Sequence, residues 1–193
     1  AMGGLMSITG QGEPTKAGVA VVDVLTGLHA TVGMLAALRH RETTGAGQRL
    51  EVSLLGSLLS SLVNQASGYV GAGAVPGLMG NAHPSIAPYE VFTTADRPMI
   101  LAVGNDAQFA RLARALGAPD LAGRKEYVTN TARVAHRAEL KAELEVLLKV
   151  RGADEWQRLL TESGVPCGPI NDLAQGFTLA ERLGLQPVVE VEG

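Results

Sequence analysis

From Val24 to Arg41 the apolar residues Leu25, Leu28, Val32, Leu35 and Leu38 recur at spacings of three and four, which predicts a helix with one buried face. Asp23 stands at its start. Arg39, His40 and Arg41 place cations at its C-terminal end, and Thr44-Gly45-Ala46-Gly47 supplies a glycine stop. Gln48–Ser53 alternates in the manner of a strand and leads into a second apolar helix over 54–69. Residues 1–17, rich in Gly, Ser, Thr and Pro, predict a loop.

The stretch 71–87 carries Gly71, Gly73, Gly77 and Gly80 with Pro76 and Pro84, and predicts a linker. Beyond it, Tyr89–Thr93 and Met99–Val103 flank Asp96-Arg97-Pro98 as a hairpin, and helical patterns follow over 106–116, 134–150 and 154–163. The prolines of Gly164-Val165-Pro166-Cys167-Gly168-Pro169-Ile170 exclude helix and predict an extended second linker. Short helix and strand follow it, the last strand opening over Val188–Val191. The expected organisation is a first domain over 1–70, a linker over 71–87, a small α+β domain over 88–168, and a returning linker over 169–193. The first residues lie inside an apolar stretch and the last ones open a strand, so both ends read as cut.

Composition narrows the class. The chain has 193 residues, 46% of them hydrophobic, and a formal net charge of −3 from 16 basic and 19 acidic residues, so no basic face for nucleic acid is expected. A single cysteine, Cys167, excludes an intrachain disulfide, and one cysteine with four histidines forms no metal-ligand cluster. No uninterrupted apolar run approaches the roughly 18 residues that span a bilayer, so no membrane partner is expected. A reducing, cytoplasmic setting fits this cysteine usage.

Read by itself, Asp23 is a helix N-cap accepting backbone hydrogen bonds. His40 reads as a C-terminal helix charge, His29 as a polar position beside the apolar face, and Cys167 as an inert thiol without a histidine partner. Gly3, Gly4, Gly10 and Gly12 lack the strand, the helix and the Lys-Ser/Thr of a phosphate-binding loop.

Taken together, Gly4–Gly10, the run Gly18–Leu28 around Val21-Val22-Asp23-Val24-Leu25-Thr26-Gly27, the block Ala36–Gln48, Gly80-Asn81-Ala82-His83-Pro84 and Gly164–Pro169 occur in an order that resembles the class III (CaiB/BaiF-type) coenzyme A transferases. The resemblance covers nearly the whole chain. It implies an α/β fold in which part of a large Rossmann-like domain is followed by a small α+β domain, with an interlocked homodimer for the complete protein. It also implies that most of the CoA site lies in an N-terminal half preceding this chain, so the piece alone should be inactive.

By the same resemblance Asp23 is the carboxylate that attacks an acyl-CoA thioester, forming first a mixed anhydride and then an aspartyl-CoA thioester. An aspartate suits this role because its type is ionised at neutral pH and needs no general base. Asn81 and His83 would touch the pantetheine or acyl part of CoA, and backbone N–H groups of 80–86 would stabilise the oxyanion. Formyl-CoA transferases carry a run of glycines here, whereas this chain reads His83-Pro84-Ser85-Ile86-Ala87-Pro88. The implied partners are an acyl-CoA and a carboxylic acid, with no metal and no cofactor beyond the CoA thioester itself. An acyl-CoA racemase of the same fold, moving a proton beside the thioester carbonyl, is the alternative enzyme. A noncatalytic fragment in which Asp23 only caps a helix is the alternative outside enzymes.

Overall fold

The computed structural model describes residues 2–189. The chain forms two compact units that divide between Asn81 and Ala82.

The first unit is helical among its described residues: α1 (Leu5–Ile8), α2 (Val21–Thr44), α3 (Leu54–Ser61) and α4 (Val63–Ala72). The short α1 falls inside the stretch expected to be loop. Helix α2 runs about one turn further at each end than its apolar periodicity predicts. It stops where expected, at Gly45, whose left-handed φ of 75° lets its N–H return to the Arg41 carbonyl at 2.8 Å.

Three expectations for this unit change. The predicted buried stripe of α2 is open: Leu28, Val32 and Leu35 are 58%, 66% and 63% exposed. The half-covered positions are mostly the smaller Val22, Thr26, Ala30, Gly33 and Ala37, on a helix that packs against α3. Gly33 permits the close approach of Leu50, since a Cβ there would lie 2.7 Å from the Leu50 Cδ1. Secondly, Gln48–Ser53 has no ladder partner among the described residues and forms no strand, because an alternating pattern needs a neighbouring strand to hydrogen-bond. Thirdly, the helix expected over 54–69 breaks at Leu62–Val63, where Val63 adopts a positive φ of 37° that is rare for a β-branched residue. Ser53 starts α3 as its N-cap, accepting from the Gly56 N–H at 3.1 Å.

Helix α2 is also long and apolar enough, by length and composition alone, to cross a membrane. Counting uninterrupted apolar runs misses it, because Asp23 and His29 break the run while the helix stays apolar on average.

The second unit is built on a three-stranded antiparallel sheet of order β1-β2-β3, from Tyr89–Phe92, Met99–Ala102 and Cys167–Pro169. The expected hairpin pairs Val91 with Ile100 and Phe92 with Met99. Its alternation buries Glu90 and Phe92 on β1 and Met99 and Leu101 on β2. Among the described residues the unit also holds five helices, α5 (Asp106–Ala115), α6 (Asn130–Ala135), α7 (Arg137–Leu148), α8 (Ala153–Glu162) and α9 (Leu173–Arg182), with a 3₁₀ turn over Pro119–Gly123. The helix expected over 134–150 is thus two helices jointed at His136.

Phe92, Met99, Leu101, Phe109, Leu112, Leu140, Leu144, Leu148, Trp156 and Leu160 close over one side of the sheet as a single apolar core. The stretch 164–170, expected to be a linker, supplies β3 instead. Its prolines are tolerated because β3 is an edge strand, and the Pro166 carbonyl still accepts from the Ala102 N–H at 2.9 Å. Val188 and Val189 are not in a strand, and the rest of the strand expected over 188–191 lies outside the described residues.

Candidate functional site

Asp23 is in the first turn of α2, three residues beyond the N-cap Ala20, and its side chain is exposed. It is therefore not the cap: Ala20 offers no side-chain bond, and the Asp23 carboxylate is not consumed in capping the helix. An anion at this position is favoured by the unpaired N–H groups and positive dipole end of a helix of 24 residues.

Asn81 is an exposed turn residue that closes the first unit. Beside it, the Gly80 N–H donates to the Gly10 carbonyl at 2.9 Å, tying this turn to the Gly10–Gly12 loop.

His83 lies at the start of the second unit, next to its first residue Ala82, and is held on several sides. Its N–H donates to the Tyr89 carbonyl at 2.9 Å, and its ring stacks on Tyr89 with centroids 5.1 Å apart and planes 19° from parallel. The Ser85 N–H donates to its Nδ1 at 3.2 Å. Burial, and after it the charge of Arg137, lower the His83 pKa below the ordinary histidine value.

The segment from His83 to Glu90 is fastened by one polar stripe on α6 and α7. The Asn130 side chain accepts from the Ala87 N–H at 3.2 Å and donates to the Ser85 carbonyl at 2.8 Å. Arg133, fully buried, donates to the Ala87 carbonyl at 2.7 Å, the Tyr127 carbonyl at 2.9 Å and Asp106 at 2.8 Å, while stacking over Phe109. Arg137 donates to the His83 and Ile86 carbonyls at 2.7 and 3.1 Å and to Glu90 at 3.3 Å, and Lys141 reaches the other Glu90 oxygen at 3.1 Å. Glu90 is thus a buried carboxylate with two cations for partners, as burial demands.

None of these four clamp residues belongs to the apolar spacing that marks the helices in the sequence. Their spacing of three, four and four residues was the available signal, a polar stripe on one helical side.

The remaining sequence candidates fall elsewhere. His29 lines a shallow groove with Glu51, Ser53, Ser57 and Ser60, and His40 is exposed near the end of α2. Cys167 is half-buried on β3; burial pushes its thiol pKa up, against a hydrogen bond from Thr161 that lowers it, so the thiolate is disfavoured. A groove of about 870 Å³ between α8 and α9, lined by Arg97, Arg158 and Arg182 among others, takes in neither His83 nor Cys167. Among the described residues no three His, Cys, Asp or Glu side chains gather as metal ligands would.

Residues 1–192 match CoA-transferase family III. The chain belongs to that family. It is 43% identical over 199 aligned residues to the succinate–glutarate CoA-transferase of Agrobacterium fabrum, covering 99% of this chain and 49% of that protein. The human succinyl-CoA:glutarate CoA-transferase is 36% identical, over 100% of this chain and 44% of its own length. Among solved structures, a CaiB/BaiF family protein from Brucella suis superposes with a TM-score of 0.76 at 44% identity, over 92% of this chain and 47% of that one. A Mycobacterium tuberculosis protein at 24% identity and a TM-score of 0.81 shares the fold. The chain spans about half the length of the curated family members it matches.

Proposed function

We propose that the protein to which this chain belongs moves coenzyme A from an acyl-CoA to a carboxylic acid, with Asp23 as the covalent carrier. The observation that carries the reading is Asp23 itself: an exposed carboxylate at the N-terminal turn of α2, not engaged as a cap, in a chain of CoA-transferase family III.

One Asp23 carboxylate oxygen attacks the thioester carbonyl, the C–S bond breaks, and CoA leaves as the thiolate, giving an aspartyl–acyl anhydride. The thiolate then attacks the aspartyl carbonyl, releasing the donor acid and forming aspartyl-CoA. The acceptor carboxylate attacks that thioester, releasing CoA thiolate and forming a second anhydride. Attack of the thiolate on its acyl carbonyl delivers the new acyl-CoA and regenerates Asp23. Atoms and charges balance over the cycle without a cofactor beyond the thioester.

Succinyl-CoA is the proposed donor and a short dicarboxylic acid the proposed acceptor, in keeping with the names of the similar transferases. Asn81 and His83 contact the pantetheine or acyl part of the CoA thioester. The complete protein is an interlocked homodimer, and the exposed apolar residues of α2 are covered by protein there rather than by lipid. In support, only Ser57 and Leu58 are buried among the described residues of the first unit.

The test is CoA transfer from succinyl-CoA to glutarate by the full-length protein carrying Asp23→Ala. Turnover should fall by at least about 10⁴-fold, the scale of removing a covalent nucleophile. A variant that still turns over at the original rate refutes the reading.

A further inference from the structure

The imidazole of His83 has one nitrogen with an assigned partner. The Ser85 backbone N–H can only donate, so the Nδ1 it meets at 3.2 Å must offer a lone pair. That leaves the ring proton on Nε2, for which the described residues supply no hydrogen-bond partner. The rest of the residue is immobilised. Its backbone N–H is held by the Tyr89 carbonyl, its carbonyl by Arg137, and its ring face by Tyr89.

The charged groups around it favour the same form. Arg137, which holds the His83 carbonyl, opposes a second positive charge, and the nearby carboxylate Glu90 is neutralised by Arg137 and Lys141. A neutral donor also suits the ligand chemistry. A carbonyl oxygen of a thioester or an amide accepts an N–H without the desolvation cost of burying an imidazolium beside it.

We propose that His83 is locked as the neutral Nε2–H tautomer and presents that N–H as a fixed hydrogen-bond donor to a carbonyl oxygen of the bound acyl-CoA. Arg137 is then a positioning residue, acting through the His83 and Ile86 carbonyls rather than on the ligand. The inference rests on the CoA-transferase reading for its ligand, while the tautomer is a property of the protein alone.

The test uses the full-length protein with ¹⁵N-labelled histidine and succinyl-CoA as the probe. In the unsubstituted protein the His83 signals should show a protonated Nε2 and an unprotonated Nδ1 at neutral pH. A protonated Nδ1 overturns the proposal without any variant. In steady-state transfer to glutarate, His83→Ala should lower kcat/KM for succinyl-CoA by ~100-fold, the scale of losing one donor to a carbonyl. His83→Gln, whose side-chain amide places an N–H near the position of Nε2, should stay within about tenfold of the parent. Equal losses in the two variants, or no loss in either, overturn it.

Arg137→Met should shift the His83 ring signals and lower kcat/KM while the thermal unfolding midpoint of the His83 variants stays near the parent's. Unchanged ring signals in Arg137→Met overturn its positioning role. If Asp23→Ala keeps full turnover, the covalent-transfer reading fails by itself, and the tautomer measurement still decides the state of His83.

Discussion

Replacing Arg133 by methionine isolates the energetics of the clamp that fastens the His83–Glu90 segment. Methionine keeps most of the buried volume, so the change removes hydrogen bonds rather than opening a cavity. Two carbonyls lose their donors, those of Ala87 and Tyr127, in residues that are 0% and 3% exposed. A buried acceptor left unpaired costs about 1–3 kcal/mol. The stacking over Phe109, 4.5 Å from the ring centroid, adds ~0.5–2 kcal/mol. The pair with Asp106 adds little, because that carboxylate is 59% exposed and screened by water. The two carbonyls and the stacking together give an expected loss of about 3–8 kcal/mol, a large share of the 5–15 kcal/mol that holds an ordinary domain. Denaturant unfolding followed by the fluorescence of Trp156, which sits in the same core, measures it. Arg133→Lys, which can reach one of the two carbonyls, should recover roughly half. A loss below about 1 kcal/mol for Arg133→Met would refute the reasoning, since the carbonyls would then have been satisfied some other way.

Tyr127 donates to Glu143 at 2.7 Å, and burial followed by this bond raises its pKa to about 12. Because the folded value lies above the unfolded one near 10, the stabilisation is complete below about pH 10 and is lost as pH rises toward 12. Spectrophotometric titration of the phenolate should show one tyrosine titrating late, and Tyr127→Phe should remove that step. On the acid side, Asp96 accepts from the Ala153 N–H at the start of α8, from Thr94 and from the Arg97 N–H. These bonds lower its pKa, so their contribution is present above the ordinary aspartate value and lost as pH falls through the folded one. Asp96→Asn should therefore lower the thermal midpoint at pH 7 and narrow the difference from the parent as pH drops; a constant difference would contradict this. Trp156 donates its ring N–H to the Leu148 carbonyl at 2.7 Å inside the core. The same carbonyl also accepts from the Arg151 N–H at 3.4 Å, so Trp156→Phe should cost only ~0.5–1.5 kcal/mol for the lost bond in denaturant unfolding, and a loss above ~3 kcal/mol would contradict this.

Local signals made much of this architecture legible. Apolar spacing located α2, α5 and α8, and the glycine after Thr44 marked the end of α2 within the last turn. The alternation on either side of Asp96-Arg97-Pro98 located the hairpin and its inward face. What depends on distant partners was not legible. Apolar spacing on α2 says that Leu28 and Leu35 seek cover, but not that Gly33 and Ala37 are the residues half-covered within this unit. Gln48–Ser53 and Cys167–Pro169 both read as extended, and only the second finds a strand beside it.

The candidate site divides in the same way. Asp23, Asn81 and His83 came from motif order. The clamp that holds His83 joins residues 43 to 54 positions apart, mostly through backbone carbonyls that any side chain could carry, so the polar spacing of Asn130, Arg133, Arg137 and Lys141 marks one end of it and nothing in the sequence marks the other. Asp23 does not cap the helix for a local reason, since the helix begins at Val21 and its capping position is occupied by Ala20.

The most direct measurement is the site of covalent labelling when the full-length protein meets succinyl-CoA, trapped with hydroxylamine and located by peptide mass spectrometry. Hydroxylamine cleaves an acyl anhydride or thioester at the aspartyl carbonyl, so the modified carboxyl becomes a hydroxamate of fixed mass. That mass should appear on Asp23, dependent on the acyl-CoA and absent without it. A label on another carboxylate, or transfer at full rate with no labelled carboxylate, would contradict it.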